Sequence, residues 1–582
     1  MAARIIALRT GARNVPLGIH MPIVRMTLAS MASMTPMTLL TPVASRSSRL
    51  FSTSQPNFEE IKPVVVKKAR KRGWFNLFFK ASVLSVVAFW GWLTWEVYKE
   101  SNPGDQVPQS ELKENGNRKK NIVILGSGWG AISFLSKLDT TQYNVTIVSP
   151  RNYFLFTPLL PSVPSGTIDV RSICDAVRTI ARGTPGEVRY MEAEAIDIDP
   201  KARCIQLEHT SQRFSVGDAF INNHEPIRST ISYDYLVYSV GATVNTFGIP
   251  GIPENASYLK ESNDATAIRQ KLFNSIEAAR LLPIESAERA RLMNFVVCGG
   301  GPTGVELAAE VKDFIDQDLK KFIPDIEKEL QVTLIEAMPN VLASFHPRLI
   351  KYTKNVFKEQ GVHLRTNTMV TKVDDRNVYC SLKNADGSKD DVVIPYGTLV
   401  WAGGNAQRPI TKLLASKILE QQTARRGLLV DDYLKLDGDD YIFALGDCTF
   451  TTNPPTAQVA YQEGHFLADY FNKLSKLDDY EFIQVKEPEK MEKYASKIER
   501  VKQGMLPFKY RHQGSLAYIG SDRAVADLSW GSWSTVALGG SLTFLFWRTA
   551  YVSMLLGMKN KILVVTDWVK VAMFGRDCSK ES

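Results

Sequence analysis

Two strand–glycine–helix units, set far apart in one chain, constrain this fold more than any other feature. In "NIVILGSGWGAISFLSKL" (121–138) the apolar strand Ile122–Leu125 runs into Gly126-Ser127-Gly128-Trp129-Gly130-Ala131, a G-x-G-x-x-A turn, and then into helix-like sequence. In "VVCGGGPTGVELAAEV" (296–311) the strand Asn294–Cys298 runs into Gly299-Gly300-Gly301-Pro302-Thr303-Gly304, a G-x-G-x-x-G turn. The first glycine of such a turn permits the tight bend, the second lets backbone approach a pyrophosphate, and the small third residue lets the helix pack on its strand. The anion then meets free N–H groups at the positive end of the helix dipole. One such match is weak evidence. Two in one chain predict two dinucleotides held for electron exchange, a flavin and a nicotinamide.

The strand after each cradle separates their ligands. After the first, Val145–Val148 ends in Ser149-Pro150-Arg151, with Ser149 where an acid usually binds a ribose hydroxyl. After the second, "QVTLIEA" delivers Glu336. A carboxylate there accepts hydrogen bonds from both adenosine-ribose hydroxyls and repels a 2′-phosphate, which predicts NADH over NADPH; a solvated strand-end acid is the plainer alternative. A flavin site is completed further on. "YIFALGDCTF" places Gly446-Asp447 after a strand, where the acid can meet ribityl hydroxyls. "NPPTAQVAYQEG" then opens a helix at Pro454-Pro455-Thr456. N–H groups near Ala457 and Gln458 would face the flavin N1–C2=O edge, where the dipole stabilises reduced flavin.

At 582 residues the chain has room for roughly three to four domain-sized units. Its formal charge of +9 is not one nucleic-acid patch. Arg4, Arg9, Arg13, Arg25, Arg46 and Arg49 all precede the first carboxylate, Glu59, which predicts a mitochondrial transit peptide over 1–53. A disordered basic tail would share that composition. A basic linker (54–73) leads to 74–98, where Lys80 and Glu96 are the only charges and Trp90, Trp92, Trp95 and Tyr98 crowd one end. This reads as a transmembrane helix with an interfacial aromatic belt, a buried core helix being the alternative. A polar linker (99–118) follows. Near the C-terminus, 539–557 is apolar with Arg548 near its middle, so it reads as interfacial. Residues 559–576 place Val565, Trp568, Val569, Ala572 and Met573 on one helical face bordered by Lys561, Lys570 and Arg576. A core or dimer helix would carry the same face. The six cysteines, Cys174, Cys204, Cys298, Cys380, Cys448 and Cys578, include no CxxC spacing, and no metal site or EF-hand loop is expected.

The order GSGWGA, SPRNYFLFTPLLPS, VGA, GGGPTGVE, IEA, GD and PPTAQVAYQEG, from Lys120 to Phe574, resembles the type II NADH:quinone oxidoreductases. These are the alternative NADH dehydrogenases of mitochondria, and the likeness is above all to their fungal, external members. "FLFTPLLPS" (154–162) with "AQVAYQEG" (457–464) is its most specific part. The resemblance implies an α/β fold of two nested Rossmann-like domains with an N-terminal transmembrane helix and a C-terminal membrane-anchoring region. An FAD domain would cover 119–262 and 402–480, an NADH domain 263–401, and a membrane-anchoring and dimerisation region 481–582. It implies non-covalent FAD, NADH, ubiquinone, the mitochondrial inner membrane and a homodimer as partners, and no nucleic acid.

Further expectations follow from it. Glu306 would position the nicotinamide face, although a first-turn acid favoured by the helix dipole reads the same way. Gln458 and Tyr461 would border the quinone, with Phe154–Leu160 as apolar wall. Gly404 would lie at the cofactor, although Ala402-Gly403-Gly404 departs from the Ala-Thr-Gly of many relatives. The activity expected is oxidation of NADH through FAD to ubiquinone without proton pumping. The basic flank before residue 74 would stay in the matrix and leave the catalytic body in the intermembrane space. A redox-responsive flavoprotein of the apoptosis-inducing-factor type is the non-enzymatic alternative. Sulfide:quinone oxidoreductase and disulfide reductases are disfavoured by the lack of paired cysteines.

Overall fold

The computed structural model describes residues 71–209, 227–418, 420–530 and 533–579. The expected transit peptide (1–53) and the basic segment up to residue 70 lie outside the described residues. The described residues fall into two units that divide between Leu93 and Thr94.

A helix runs from Lys71 to Ser101 with Trp90, Trp92, Trp95 and Tyr98 exposed. The expected span at 74–98 is therefore helical, but among the described residues no helix is long and apolar enough to cross a membrane. Lys80 and Glu96 are its only charges between Trp74 and Tyr98. The segment 74–98 thus lies within one long, aromatic-rich helix.

The expected polar linker is an ordered strap. Gln106 Nε2 donates to the carbonyls of Ala181 and Thr184, each at 2.9 Å, and Gln109 Nε2 to that of Val145. Lys113 Nζ reaches Ser475 Oγ at 2.7 Å and Asp479 Oδ1 at 2.9 Å. Polar side chains that composition reads as solvated instead satisfy backbone groups of the neighbouring sheet and its loops.

Two five-stranded parallel sheets form the body. The first runs in the order Ile442–Ala444, Tyr235–Tyr238, Lys120–Leu125, Tyr143–Val148, Val188–Met191. The second runs Ser257–Tyr258, Thr398–Trp401, Asn294–Cys298, Gln331–Ile335, His363–Arg365. The central strands are near-continuous apolar runs because helices cover both faces, and Ile122, Ile124, Val296 and Val297 are all fully buried. Each sheet carries an appended three-stranded antiparallel sheet. The chain crosses from the first sheet to the second and back through Ala242–Val244 and Asn405–Gln407, which pair antiparallel with Ala242 opposite Gln407.

The second cradle helix, Pro302–Phe314, does not simply extend through the sequence that follows. It passes into a π-helical turn at Ile315–Leu319, which brings Asp318 to Arg576. Beyond the body, three antiparallel strands (Ser515–Gly520, Arg523–Trp530, Trp533–Gly540) precede the helices Ser541–Met554 and Met558–Phe574. Leu542, Leu545, Phe546, Val565, Val569 and Met573 are exposed on this pair. Two expectations for the last helix change. Trp568 is buried with its ring 6.3 Å from that of Trp547, and Arg576 is buried rather than bordering the apolar face. Arg576 turns inward because Asp318, Gln317 and Thr167 together satisfy its guanidinium.

Candidate active site

The two cradles are built alike. Gly126 (φ +110°) and Gly299 (φ +121°) both adopt backbone that favours glycine. A Cβ at Gly126 would fall 2.3 Å from the Ser239 carbonyl oxygen, and one at Gly299 2.7 Å from that of Ala402. Each turn is thus pressed against a crossing strand. At the third position Ala131 is buried in the first cradle, while at Gly304 a Cβ would strike the Gly299 carbonyl. Behind the first cradle, the long helix Ala457–Lys486 approaches so closely that a Cβ at Gly464 would lie 2.6 Å from the Gly130 carbonyl.

A single cleft of about 1310 Å³ opens between these elements. Its walls include Gly126, Ser127, Gly128, Trp129 and Gly130, then Ser149, Pro150 and Arg151, then Gly446, Asp447 and Ala457, with Gly404 and Thr303 across from them. No Cβ-sized obstacle stands close at Gly128 or Gly301, so backbone is open to a ligand at both second glycines. A cleft of this size lined by a glycine turn, a helix N-terminus and buried polar groups fits FAD. Thr456 caps that helix, its Oγ1 accepting the Val459 N–H.

The cleft is electrostatically arranged. Arg151 NH1 pairs with Glu261 Oε2 at 2.6 Å, and Ser127 Oγ lies 3.1 Å from Ser149 Oγ. Lys260 stands 4.0 Å from Asp447, whose Oδ2 also accepts from Asn405 Nδ2 at 3.1 Å. Burial pulls the Lys260 ammonium down and pushes the Asp447 carboxyl up, each partly offset by the other's charge.

The remaining expected residues sit in a second layer. Glu336 Oε1 accepts the Met338 N–H at 2.7 Å and its Oε2 the Gly300 N–H, so the acid closes on the second cradle directly. Pro302 begins that cradle's helix. Glu306 is 5% exposed, does not line the cleft, and accepts the Tyr518 N–H at 3.0 Å. Its burial pushes the carboxyl up to about 8, against the opposing pull of that hydrogen bond. Gln458 Oε1 accepts from Tyr510 OH at 2.5 Å and from Gln513 N at 3.1 Å, and Tyr461 lies 4.2 Å, ring to ring, from His465. Gln458 therefore ties the long helix to the segment entering the C-terminal sheet.

Sequence reasoning missed two groups. Glu463 lines the cleft, and its Oε2 accepts the Gly446 N–H at 2.7 Å. Its spacing of three and four from the buried Ala460 and Val459 could have flagged it. Glu310 and Asp313 follow the expected Glu306 at i+4 and i+7 on the second cradle helix, all three buried. Ser162, Ser165 and Thr167 hold Glu310, and Tyr518 OH and Ser521 N hold Asp313.

Two dinucleotide cradles, one lining the cleft and the other reaching it at Thr303, define a two-dinucleotide flavoprotein, and residues 120–464 match the pyridine nucleotide-disulphide oxidoreductase family. Residues 512–577 match the NDH2 C-terminal domain. The chain is 46% identical over 531 residues to the external alternative NADH-ubiquinone oxidoreductase of Yarrowia lipolytica mitochondria, covering 88% of this chain and 89% of that protein. It is 48% identical over 510 residues to external NADH-ubiquinone oxidoreductase 2 of Saccharomyces cerevisiae mitochondria, covering 87% and 90%. The solved NDH2 of Plasmodium falciparum in complex with NADH superposes with a TM-score of 0.68 at 28% identity, covering 79% of this chain and 99% of that one. This chain belongs to the type II, or alternative, NADH-ubiquinone oxidoreductase family.

Proposed function

We propose that this protein oxidises NADH and passes the electrons through non-covalent FAD to ubiquinone, without pumping protons, at the outer face of the mitochondrial inner membrane. The observation that carries the reading is the cleft lined by the whole first glycine turn, Gly126–Gly130, with Gly446-Asp447, which the second cradle reaches at Thr303. FAD, when bound, supplies the electron acceptor between the nicotinamide and the quinone.

The chain's own residues bind and orient. The N-terminus of the helix at Pro302 turns its N–H groups toward the NADH pyrophosphate. Glu336, fixed by Gly300 and Met338, accepts hydrogen bonds from the adenosine ribose. Glu306 acts on the nicotinamide side through its bond to Tyr518, which fixes the cradle helix against the C-terminal sheet. Gln458 and Tyr461, on the helix whose first turn meets the cleft, border the quinone. The exposed Leu542, Leu545, Phe546, Val565, Val569 and Met573 face the membrane surface or a second copy in a homodimer.

The outward orientation is supported by the relatives from Y. lipolytica and S. cerevisiae, both of them external enzymes. The test compares NADH oxidation by intact and by lysed mitochondria that depend on this protein. Full activity in intact organelles, raised by added quinone, is the expected result. Activity that appears only after lysis would overturn the orientation. Flavin reduction by NADH with no quinone turnover would favour the apoptosis-inducing-factor type of role.

A further inference from the structure

One carboxyl in the cleft wall is incompletely satisfied. Glu463 is 1% exposed and sits where the long helix crosses the first cradle. Its Oε2 accepts the Gly446 N–H at 2.7 Å, whereas Oε1 is buried without a hydrogen-bond partner. An unsatisfied buried polar atom is costly, so one in a native fold calls for a group that completes it, and at a cleft wall a bound ligand, an ion or an ordered water can do so.

The charges around Glu463 decide what that ligand meets. From the Gly446 loop come Asp447, a second acid, and the buried Cys448 thiol. The cradle helix Trp129–Lys137 has no charged residue before Lys137, at its far end. Among the cations of the cleft, Lys260 is turned to Asp447, and Arg151 and Arg408 to Glu261, while Arg426 also lines the wall. Among the described residues no cation is paired with Glu463 itself. Burial pushes its carboxyl up to about 7, the Gly446 N–H opposing and the Asp447 charge adding to the rise. A neutral carboxyl accepts at one oxygen and donates at the other. An ionised one would repel a pyrophosphate.

We propose that Glu463 is a positioning residue for FAD, its carboxyl pinned by Gly446 and offering an Oε1–H donor to the oxygen-rich ribityl–pyrophosphate chain. The proposal rests on the flavoprotein reading of the cleft and deepens it. FAD retention is then tied to the protonation of one buried acid. The same acid, when ionised, places a second negative charge beside Asp447.

The experiment measures FAD release from the purified holoenzyme between pH 6 and 9, by recovery of free-flavin fluorescence, with the flavin midpoint potential recorded in parallel. In the wild type, release should quicken as the pH rises. Glu463→Gln, which keeps a neutral donor and acceptor, should hold FAD as the wild type does at pH 6 and lose the acceleration toward pH 9. Glu463→Leu should release FAD about tenfold faster at pH 6, the scale of one lost hydrogen bond. A Glu463→Gln profile that tracks the wild type across the range, in release and in potential, would overturn the assignment. So would a Glu463→Leu variant that keeps its flavin as tightly as the wild type. A purified wild type without flavin absorbance would instead remove the flavoprotein reading itself, so the two failures are distinguishable.

Discussion

Glu336 Oε2 accepts the Gly300 N–H at 2.5 Å, so the acid that follows the strand Gln331–Ile335 is bonded into the glycine turn of the neighbouring strand. The same contact leaves no room for a side chain at residue 300, where a Cβ would lie 2.8 Å from that oxygen.

Glu336→Gln should keep the geometry and lose the charge. NADH should bind less well, and NADPH should no longer be repelled, with kcat/KM selectivity shifting by ~1–3 kcal/mol toward NADPH. Gly300→Ala should weaken NADH by displacing the carboxylate without relieving NADPH. Steady-state kinetics with both coenzymes checks each; unchanged selectivity in Glu336→Gln would remove this residue from the coenzyme site.

Gln458→Ala and Tyr461→Ala should slow ubiquinone reduction more than flavin reduction by NADH. Stopped-flow bleaching of the flavin isolates the first half-reaction. Gln458→Ala also frees Tyr510 OH and Gln513 N, so its loss should exceed that of Gln458→Glu, which keeps an acceptor. An equal fall in both half-reactions would assign these residues to the flavin site in general.

Three buried acids set a pH dependence of stability. Burial pushes Asp313 up to about 6, Glu463 to about 7 and Glu306 to about 8. Each holds its proton more tightly folded than unfolded. Their stabilisation is therefore complete below the ordinary carboxyl range and is lost as the pH rises through these values. Each group contributes a slope of at most about 1.4 kcal/mol per pH unit. Tm should fall from pH 5 to 8, and Glu306→Gln, still able to accept the Tyr518 N–H, should flatten that fall. A Tm in Glu306→Gln that declines as steeply as the wild type would show that Glu306 is not neutral in the fold.

Arg576→Leu removes the guanidinium that meets Asp318 Oδ2 at 2.9 Å and stands 3.7 Å from Glu310 Oε2. Breaking a buried ion pair from one side costs ~3–5 kcal/mol because the remaining charge is left uncompensated. Lower Tm and earlier proteolytic loss of the C-terminal helices should follow. Adding Asp318→Asn should recover part of the loss, and its failure to do so would deny the pairing.

The parts of this fold legible in the sequence are those whose chemistry is local. The spacing of Gly126, Gly128 and Ala131, or of Gly299, Gly301 and Gly304, declares a strand, a turn and a helix without reference to anything distant. Glu336 is legible for the same reason, at the end of an apolar strand. Arg576 was misplaced because its partners, Thr167, Gln317 and Asp318, come from two separate stretches of chain. The strap at 102–118 has the composition of a linker, and nothing within it reveals that Gln106 finds the carbonyls of Ala181 and Thr184. At 74–98 the apolar, aromatic run is legible as a helix, and the structure has one at Lys71–Ser101.

The edge strand Ile442–Ala444 pairs beside Tyr235–Tyr238, yet the whole second sheet is encoded between them. Wherever the chain folds from its N-terminus, the first sheet stays one strand short until residues 442–444 arrive. Tyr235–Tyr238 waits during that interval with one edge unpaired, a hydrophobic template for any passing strand. The inserted sheet, contiguous from Ser257 to Trp401, can close first. The sheet begun first along the chain is thus the later of the two that can be completed, and its open edge is exposed until Ile442–Ala444 is delivered.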